Sequence, residues 1–71
     1  MINKVQLLEM AKEMIGVDFL TLETNRDDVE EWDSLIHVML VAAVAENYGV
    51  VVPADEISNI TCLMDFMKYE K

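Results

Sequence analysis

The chain has 71 residues, of which 14 are Asp or Glu and five are Lys or Arg, so its formal net charge is −9 at pH 7. This length predicts one domain over residues 1–71 and leaves no room for an enclosed substrate cavity with catalytic machinery. The charge argues against nucleic acid as a partner and favours basic proteins.

The cellular compartment of the protein is predicted from sequence features that the chain lacks. Cys62 is its only cysteine and cannot form an internal disulfide, and the N-terminal segment does not have the pattern of a secretory signal. We therefore expect a reduced, cytoplasmic setting. The longest apolar run, 35–45, is interrupted by His37 and is far shorter than the roughly 20 residues of a membrane-spanning helix, so no span is expected.

The first predicted element is a helix from about Asn3 that stops at Gly16. Its apolar residues recur at helical spacing: Val5, Leu8, Ala11 and Ile15, with Leu7 and Met14 beside them. Residues 17–33 contain turn formers and acids, and we expect a long loop anchored to the core by Phe19, Leu22 and Val29. Loops of this length in a compact domain are often functional.

The second predicted helix begins at Asp33 or Ser34, which offer capping oxygens, and ends before Gly49. It is apolar nearly all round: Leu35, Val38, Ala42 and Ala45 fill one face, and Ile36, Met39, Leu40 and Ala43 cover much of the others. So small a protein cannot surround such a helix completely. We therefore expect an exposed apolar patch beside Ser34, and such patches commonly mark docking sites.

The C-terminal part begins with 50–52, an extended connection that Pro53 ends. Residues 53–58 can form one helical turn. Thr61 is expected to cap a last helix from Cys62 to about Tyr69, with Leu63, Phe66 and Met67 facing inward. The predicted fold class is all-α.

Five acids lie within seven residues just before Ser34: Asp27, Asp28, Glu30, Glu31 and Asp33. Taken alone, such a run indicates a solvated loop. It lacks the central glycine and the terminal glutamate of a calcium loop, and one His with one Cys cannot form a transition-metal site, so no metal is expected.

Ser34 has two explanations at this point. Taken alone, it is best explained as a helix N-cap. His37 follows one turn later, but a Ser and His pair without oxyanion donors or a cleft is weak evidence for a nucleophile. Trp32 is either a packing residue that fixes the entry into the helix or a contact for a partner enzyme.

The stretch "WDSLIHVMLVAAVAENYGVVVPADEISNITCLMDF" resembles the central and C-terminal part of an acyl carrier protein. The resemblance lies in Asp33-Ser34-Leu35 opening a long helix, Tyr48 and Gly49 at its end, a valine before Pro53, the acidic turn 55–57, and Ile60-Thr61 before a last helix. The tripeptide alone is weak evidence, but this helical order at this domain length is specific.

The resemblance implies a four-helix bundle of three main helices and one short helix, with a long loop between helices 1 and 2. It implies that Ser34, flanked by Asp33 and Leu35, carries 4′-phosphopantetheine from coenzyme A, whose thiol holds an acyl or aminoacyl group as a thioester. Expected partners are a phosphopantetheinyl transferase and loading and condensing enzymes, which dock on a monomer at Trp32, Ile36, His37 and Met39. The chain itself has no catalytic residue in this interpretation.

The helix after Ser34 departs from the fatty-acid type, because Glu46 is its only acid. The Trp before Asp-Ser-Leu is similar to D-alanyl carrier proteins and to some freestanding carriers of specialised pathways. We therefore favour a dedicated acyl or aminoacyl carrier, with fatty acid, polyketide and nonribosomal peptide pathways left open. Two alternatives remain: an unmodified acidic helical adaptor that binds a basic protein, and a small enzyme using Ser34 and His37.

Overall fold

The computed structural model describes residues 1–70, and Lys71 lies outside the described residues. The helices in chain order are α1 (Lys4–Ile15), η1 (Arg26–Asp28), α2 (Ser34–Tyr48), η2 (Ala54–Asn59) and η3 (Leu63–Tyr69), where η denotes a 3-10 helix. No β-strand is found in residues 1–70. The predicted all-α fold of four helices is confirmed by α1, α2, η2 and η3, and η1 is a single turn within the predicted long loop. No helix in this part of the chain has the length and apolar character needed to cross a bilayer.

Helix α1 has a cap at each end. The Asn3 side chain accepts a hydrogen bond from the Gln6 amide at 3.1 Å, and Gly16 ends the helix with φ +85°, a left-handed conformation that glycine adopts without steric cost. The buried face consists of Leu7, Ala11 and Ile15, which recur every four residues, whereas Val5 on the opposite side is exposed.

The loop between α1 and α2 is attached to the C-terminal part of the chain by backbone hydrogen bonds. The Arg26 amide donates to the Thr61 carbonyl at 2.7 Å, and the Met64 amide donates to the Leu22 carbonyl at 2.9 Å. Leu22 and Val29 pack against the core as predicted. The prediction for Phe19 is wrong: its ring is exposed, and the neighbouring Leu20 takes the buried position in the core instead.

Helix α2 packs against α1 and crosses the core. Its buried residues are His37, Leu40, Val41 and Val44. The helix ends at Gly49 with φ +67°, whose amide donates to the Ala45 carbonyl at 2.9 Å. Val50 and Val52 are buried on either side of the exposed Val51, which is the extended connection that the sequence predicts.

The last helix, η3, differs from its prediction at its start. Cys62 is the N-cap residue, not Thr61, and the Asp65 carboxylate accepts hydrogen bonds from the amides of Thr61 and Cys62 at 2.8 and 3.3 Å and from the Thr61 hydroxyl at 2.9 Å. Burial tends to raise the pKa of Asp65, but these hydrogen bonds, with the contact of Lys68, outweigh it and lower the pKa to about 2. Leu63 and Phe66 face inward and are fully buried, as predicted, and Met67 is half-buried.

Candidate functional site

Ser34 is the first residue of α2, and its side chain is exposed. The N-cap is Asp33, whose Oδ1 accepts a hydrogen bond from the Ile36 amide at 2.9 Å. The explanation of Ser34 as the N-cap is therefore wrong, since its neighbour fills that position. A hydroxyl at the first helical position is not needed for capping, so its chemistry is available for something else.

His37 is one turn further along α2, and only 2% of its surface is exposed. The Trp32 indole Nε1–H donates to His37 Nδ1 at 3.1 Å, and His37 Nε2 lies 2.9 Å from the Ile57 carbonyl oxygen. Because a carbonyl only accepts, His37 is neutral with its proton on Nε2. Burial lowers the pKa of His37; the hydrogen bond to Ile57 opposes this, and the positive charge of Arg26 adds to the lowering.

These contacts correct two of the predicted docking residues. Trp32 is 4% exposed, so neither its indole nor the imidazole of His37 is presented to a partner. Both nitrogens of His37 are hydrogen-bonded within the protein, and this argues against the imidazole as a base for Ser34. We name the chain of hydrogen bonds from Trp32 through His37 to Ile57 the buried relay; it joins the loop, α2 and η2.

Exposed apolar residues lie on the side of α2 that faces away from the core. Leu35, Val38 and Met39 are 69%, 53% and 48% exposed, and Ala42 is exposed one turn later. These four residues, which we name the apolar strip, are spaced as one face of a helix. The predicted docking residue Ile36 is only partly exposed, whereas Met39 lies within the strip. The expected exposed patch beside Ser34 is therefore present.

The acidic run lies on the other side of Ser34. The five carboxylate residues Asp27, Asp28, Glu30, Glu31 and Asp33 are all exposed. Ser34 thus stands between a charged segment that acts over a distance of several ångströms and an apolar surface that acts only on contact.

An open groove of about 370 Å³ lies beside Ser34, where α2 meets η1 and η2. Its lining residues are Arg26, Ser34, His37, Val38, Ala54, Ile57 and Ser58. The sequence predictions missed Arg26, Ile57 and Ser58, which come from two different parts of the chain, η1 and η2. One sequence feature could have pointed to Arg26, since it is the only lysine or arginine between Lys12 and Lys68.

Comparison with curated proteins found relatives over nearly the whole chain. The chain is 32% identical over 68 residues to proteins named "Acyl carrier protein" from Rickettsia typhi and Rickettsia prowazekii, and the match covers 93% of this chain and 79% of each relative. The protein of that name from Rickettsia conorii is similar to the same extent. No protein-family model matches the chain. No solved structure gave a significant match.

Proposed function

The chain belongs to the acyl carrier protein family, and from this premise we propose that it carries an acyl or aminoacyl group on a 4′-phosphopantetheine arm attached to Ser34. The arm comes from coenzyme A and supplies a terminal thiol that holds the cargo as a thioester. In this proposal the chain performs no catalysis, and a phosphopantetheinyl transferase and loading and condensing enzymes are its partners. The observation that carries the proposal is the exposed Ser34 hydroxyl, left free of the helix cap by Asp33.

The surroundings of Ser34 fit such a group. Modification of the hydroxyl leaves the hydrogen bond from the Ile36 amide to Asp33 intact. The first turn of α2 favours an added phosphate through its dipole, while the exposed Glu31 and Asp33 disfavour it. The groove that begins at Ser34 is lined by Val38, Ala54 and Ile57, an apolar path along which an arm and a small acyl group can lie.

The two surfaces beside Ser34 suit the recognition of partner enzymes. The acidic run attracts a basic enzyme at long range, and the apolar strip fixes its position on contact. The helix α2 carries one acid, Glu46, so the contact itself depends on Leu35, Val38 and Met39 more than on charge. This favours a dedicated acyl or aminoacyl carrier over a carrier that general fatty-acid enzymes recognise through an acidic helix.

Two serines allow a matched test of the attachment site. Ser34 and Ser58 are the only serines in the chain, and both are exposed and line the same groove. Incubation with coenzyme A and a broad-specificity phosphopantetheinyl transferase should add one arm to the wild type and to Ser58→Ala, and none to Ser34→Ala, as measured by intact-protein mass spectrometry. An unmodified wild type, under conditions that modify a control carrier, would reject the proposal and leave the unmodified adaptor as the function to test.

A further inference from the structure

Arg26 is an isolated cation in an acidic region. It is the only lysine or arginine between Lys12 and Lys68, and Asp27 and Asp28 follow it directly. Arg26 nevertheless lines the groove that contains Ser34. The ion pair found within residues 1–70 joins Lys68 to Asp65 at 3.2 Å, and Arg26 forms none with a carboxylate in this part of the chain.

The backbone holds Arg26 in this position. Its amide donates to the Thr61 carbonyl at 2.7 Å, and the Asn25 side chain caps η1 by accepting from the Asp27 amide at 2.8 Å. The positive charge of Arg26 also acts on His37, which lines the same groove. Burial is the larger cause of the lowered pKa of His37, and the charge of Arg26 lowers it further. A partly buried arginine whose backbone is held in place, and which has no carboxylate partner in a protein of net charge −9, indicates a site suited to an anion.

We propose that Arg26 binds the phosphate of the arm attached to Ser34, and so directs the arm along the groove. This inference rests on the proposed function. The phosphorus is bonded directly to Ser34 Oγ, so the phosphate must lie beside the groove that both residues line. The guanidinium fork matches two phosphate oxygens and offsets the repulsion from Glu31 and Asp33, which a lysine on a flexible stem does less well.

The single arginine makes the contact directly measurable. The side-chain Nε–H of Arg26 gives the only arginine signal of this kind in a ¹⁵N spectrum, so it needs no further assignment. We expect its hydrogen exchange with water to slow by about twofold to fivefold from the apo to the phosphopantetheine form at low salt, the range that an exposed ion pair provides. At about 1 M salt, where the Debye length is ~3 Å, the difference should largely disappear.

A pair of variants tests the same contact from the side of the phosphate. Arg26→Gln removes a positive charge within the groove, and Lys12→Gln removes one from a surface lined by α1 and the start of the loop. In the phosphopantetheine form, the ³¹P resonance of Arg26→Gln should shift and sharpen relative to the wild type, and that of Lys12→Gln should not. Arg26→Lys should give an intermediate result, because it keeps the charge and loses the fork.

The outcomes separate this inference from the proposed function. Mass spectrometry first shows whether the wild type acquires an arm; if it does not, the proposed function fails and this inference with it. If the arm is present but Arg26 exchange is unchanged, or if ³¹P spectra of Arg26→Gln and Lys12→Gln agree, the inference is overturned while the function stands. If Arg26→Gln is modified more slowly but its spectra are unchanged, Arg26 contacts the transferase and not the phosphate of the arm, and the inference is also overturned. Should Arg26→Gln fail to fold, the wild-type exchange measurement decides.

Discussion

Residues 32–39 contain a buried set, Trp32 and His37, and an exposed apolar set, Leu35, Val38 and Met39. The burial of His37 and the exposure of the apolar set are the reverse of what hydropathy alone suggests. The polar His37 is buried with Trp32, and both of its ring nitrogens are hydrogen-bonded. The apolar Leu35, Val38 and Met39 are about half or more exposed. A polar side chain can therefore be buried where it has hydrogen-bond partners, and an apolar side chain stays exposed where no other element covers its face of the helix.

The two sets have different tasks in the proposed carrier. The buried relay fixes the angle at which the loop enters α2, and therefore where Ser34 stands relative to η2 and the groove. The apolar strip contributes little to folding and is available to partners. Substitutions in the two sets should therefore separate stability from recognition.

The largest contrast is expected between neighbouring residues of α2. Leu40→Glu places a carboxylate at a fully buried position without a partner and should unfold the protein or cost more than about 4 kcal/mol. Met39→Glu, at a half-exposed position, should change the free energy of unfolding by less than about 0.5 kcal/mol. It should weaken binding to the loading enzyme by about 1–3 kcal/mol if the new charge is buried there unpaired. Urea denaturation followed by circular dichroism measures the free energy of unfolding, and KM of the loading enzyme for each variant reports the change in binding.

Two results would contradict this assignment of Met39. Lost helicity in Met39→Glu would identify Met39 as a core residue. Intact helicity with unchanged transfer kinetics would remove it from the docking surface.

A smaller effect is expected for Trp32→Phe, which keeps an aromatic ring and removes the indole N–H. His37 Nδ1 then loses its donor inside the protein, and the free energy of unfolding should fall by about 1–3 kcal/mol. Leu35→Ala, at an exposed position, should change it by less than about 0.5 kcal/mol. A double-mutant cycle of Trp32→Phe with His37→Ala separates the hydrogen bond from the lost ring volume, and a coupling energy near zero would show that the relay contributes nothing.

The smallest effect is expected from pH. The pKa of His37 is lower in the folded protein because of its burial, so the unfolded chain binds more protons as the pH falls below about 6.5, the unfolded value. Stability should therefore be complete above this value and decline towards about pH 5.5, by at most about 1.4 kcal/mol per pH unit for one proton. Protonation would also set two N–H donors, Trp32 Nε1 and His37 Nδ1, against each other.

The measurement is the urea midpoint at about pH 7.5 and about pH 5.5, a window above the ordinary pKa of carboxylates. His37→Gln should lose most of the pH dependence and keep a fold with the same helicity. Equal slopes for the wild type and the variant would mean that another group titrates.

Much of the fold could be predicted because its signals are local. Gly16 and Gly49 end α1 and α2 where the sequence indicated, and both have the positive φ that made them suitable. The position of Ser34 at the start of α2 also follows from local pattern, since Asp33 is a good cap and an apolar run comes next. The family resemblance, confirmed by relatives that match 93% of the chain, rests on the same local features.

The site beyond Ser34 could not be predicted, because it is assembled from residues far apart in the chain. Arg26 is held at the groove by a hydrogen bond from its amide to the carbonyl of Thr61, 35 residues away, and the Ile57 carbonyl accepts a hydrogen bond from His37, 20 residues away. No periodicity along α2 marks which of its apolar faces remains uncovered, since nearly all its residues are apolar.

Helices α1 and α2 with their ends, the acidic run and the position of Ser34 therefore follow from the sequence alone, because capping, helical spacing and net charge depend on neighbouring residues. The burial of Trp32 and His37, the exposure of Leu35, Val38 and Met39, and the groove that Arg26 shares with Ser34 follow from how the elements pack in three dimensions. The physical reason is that burial and hydrogen-bond satisfaction are properties of the packed elements together: His37 is buried because Trp32, five residues before it, and Ile57, 20 residues after it, supply partners for both of its ring nitrogens.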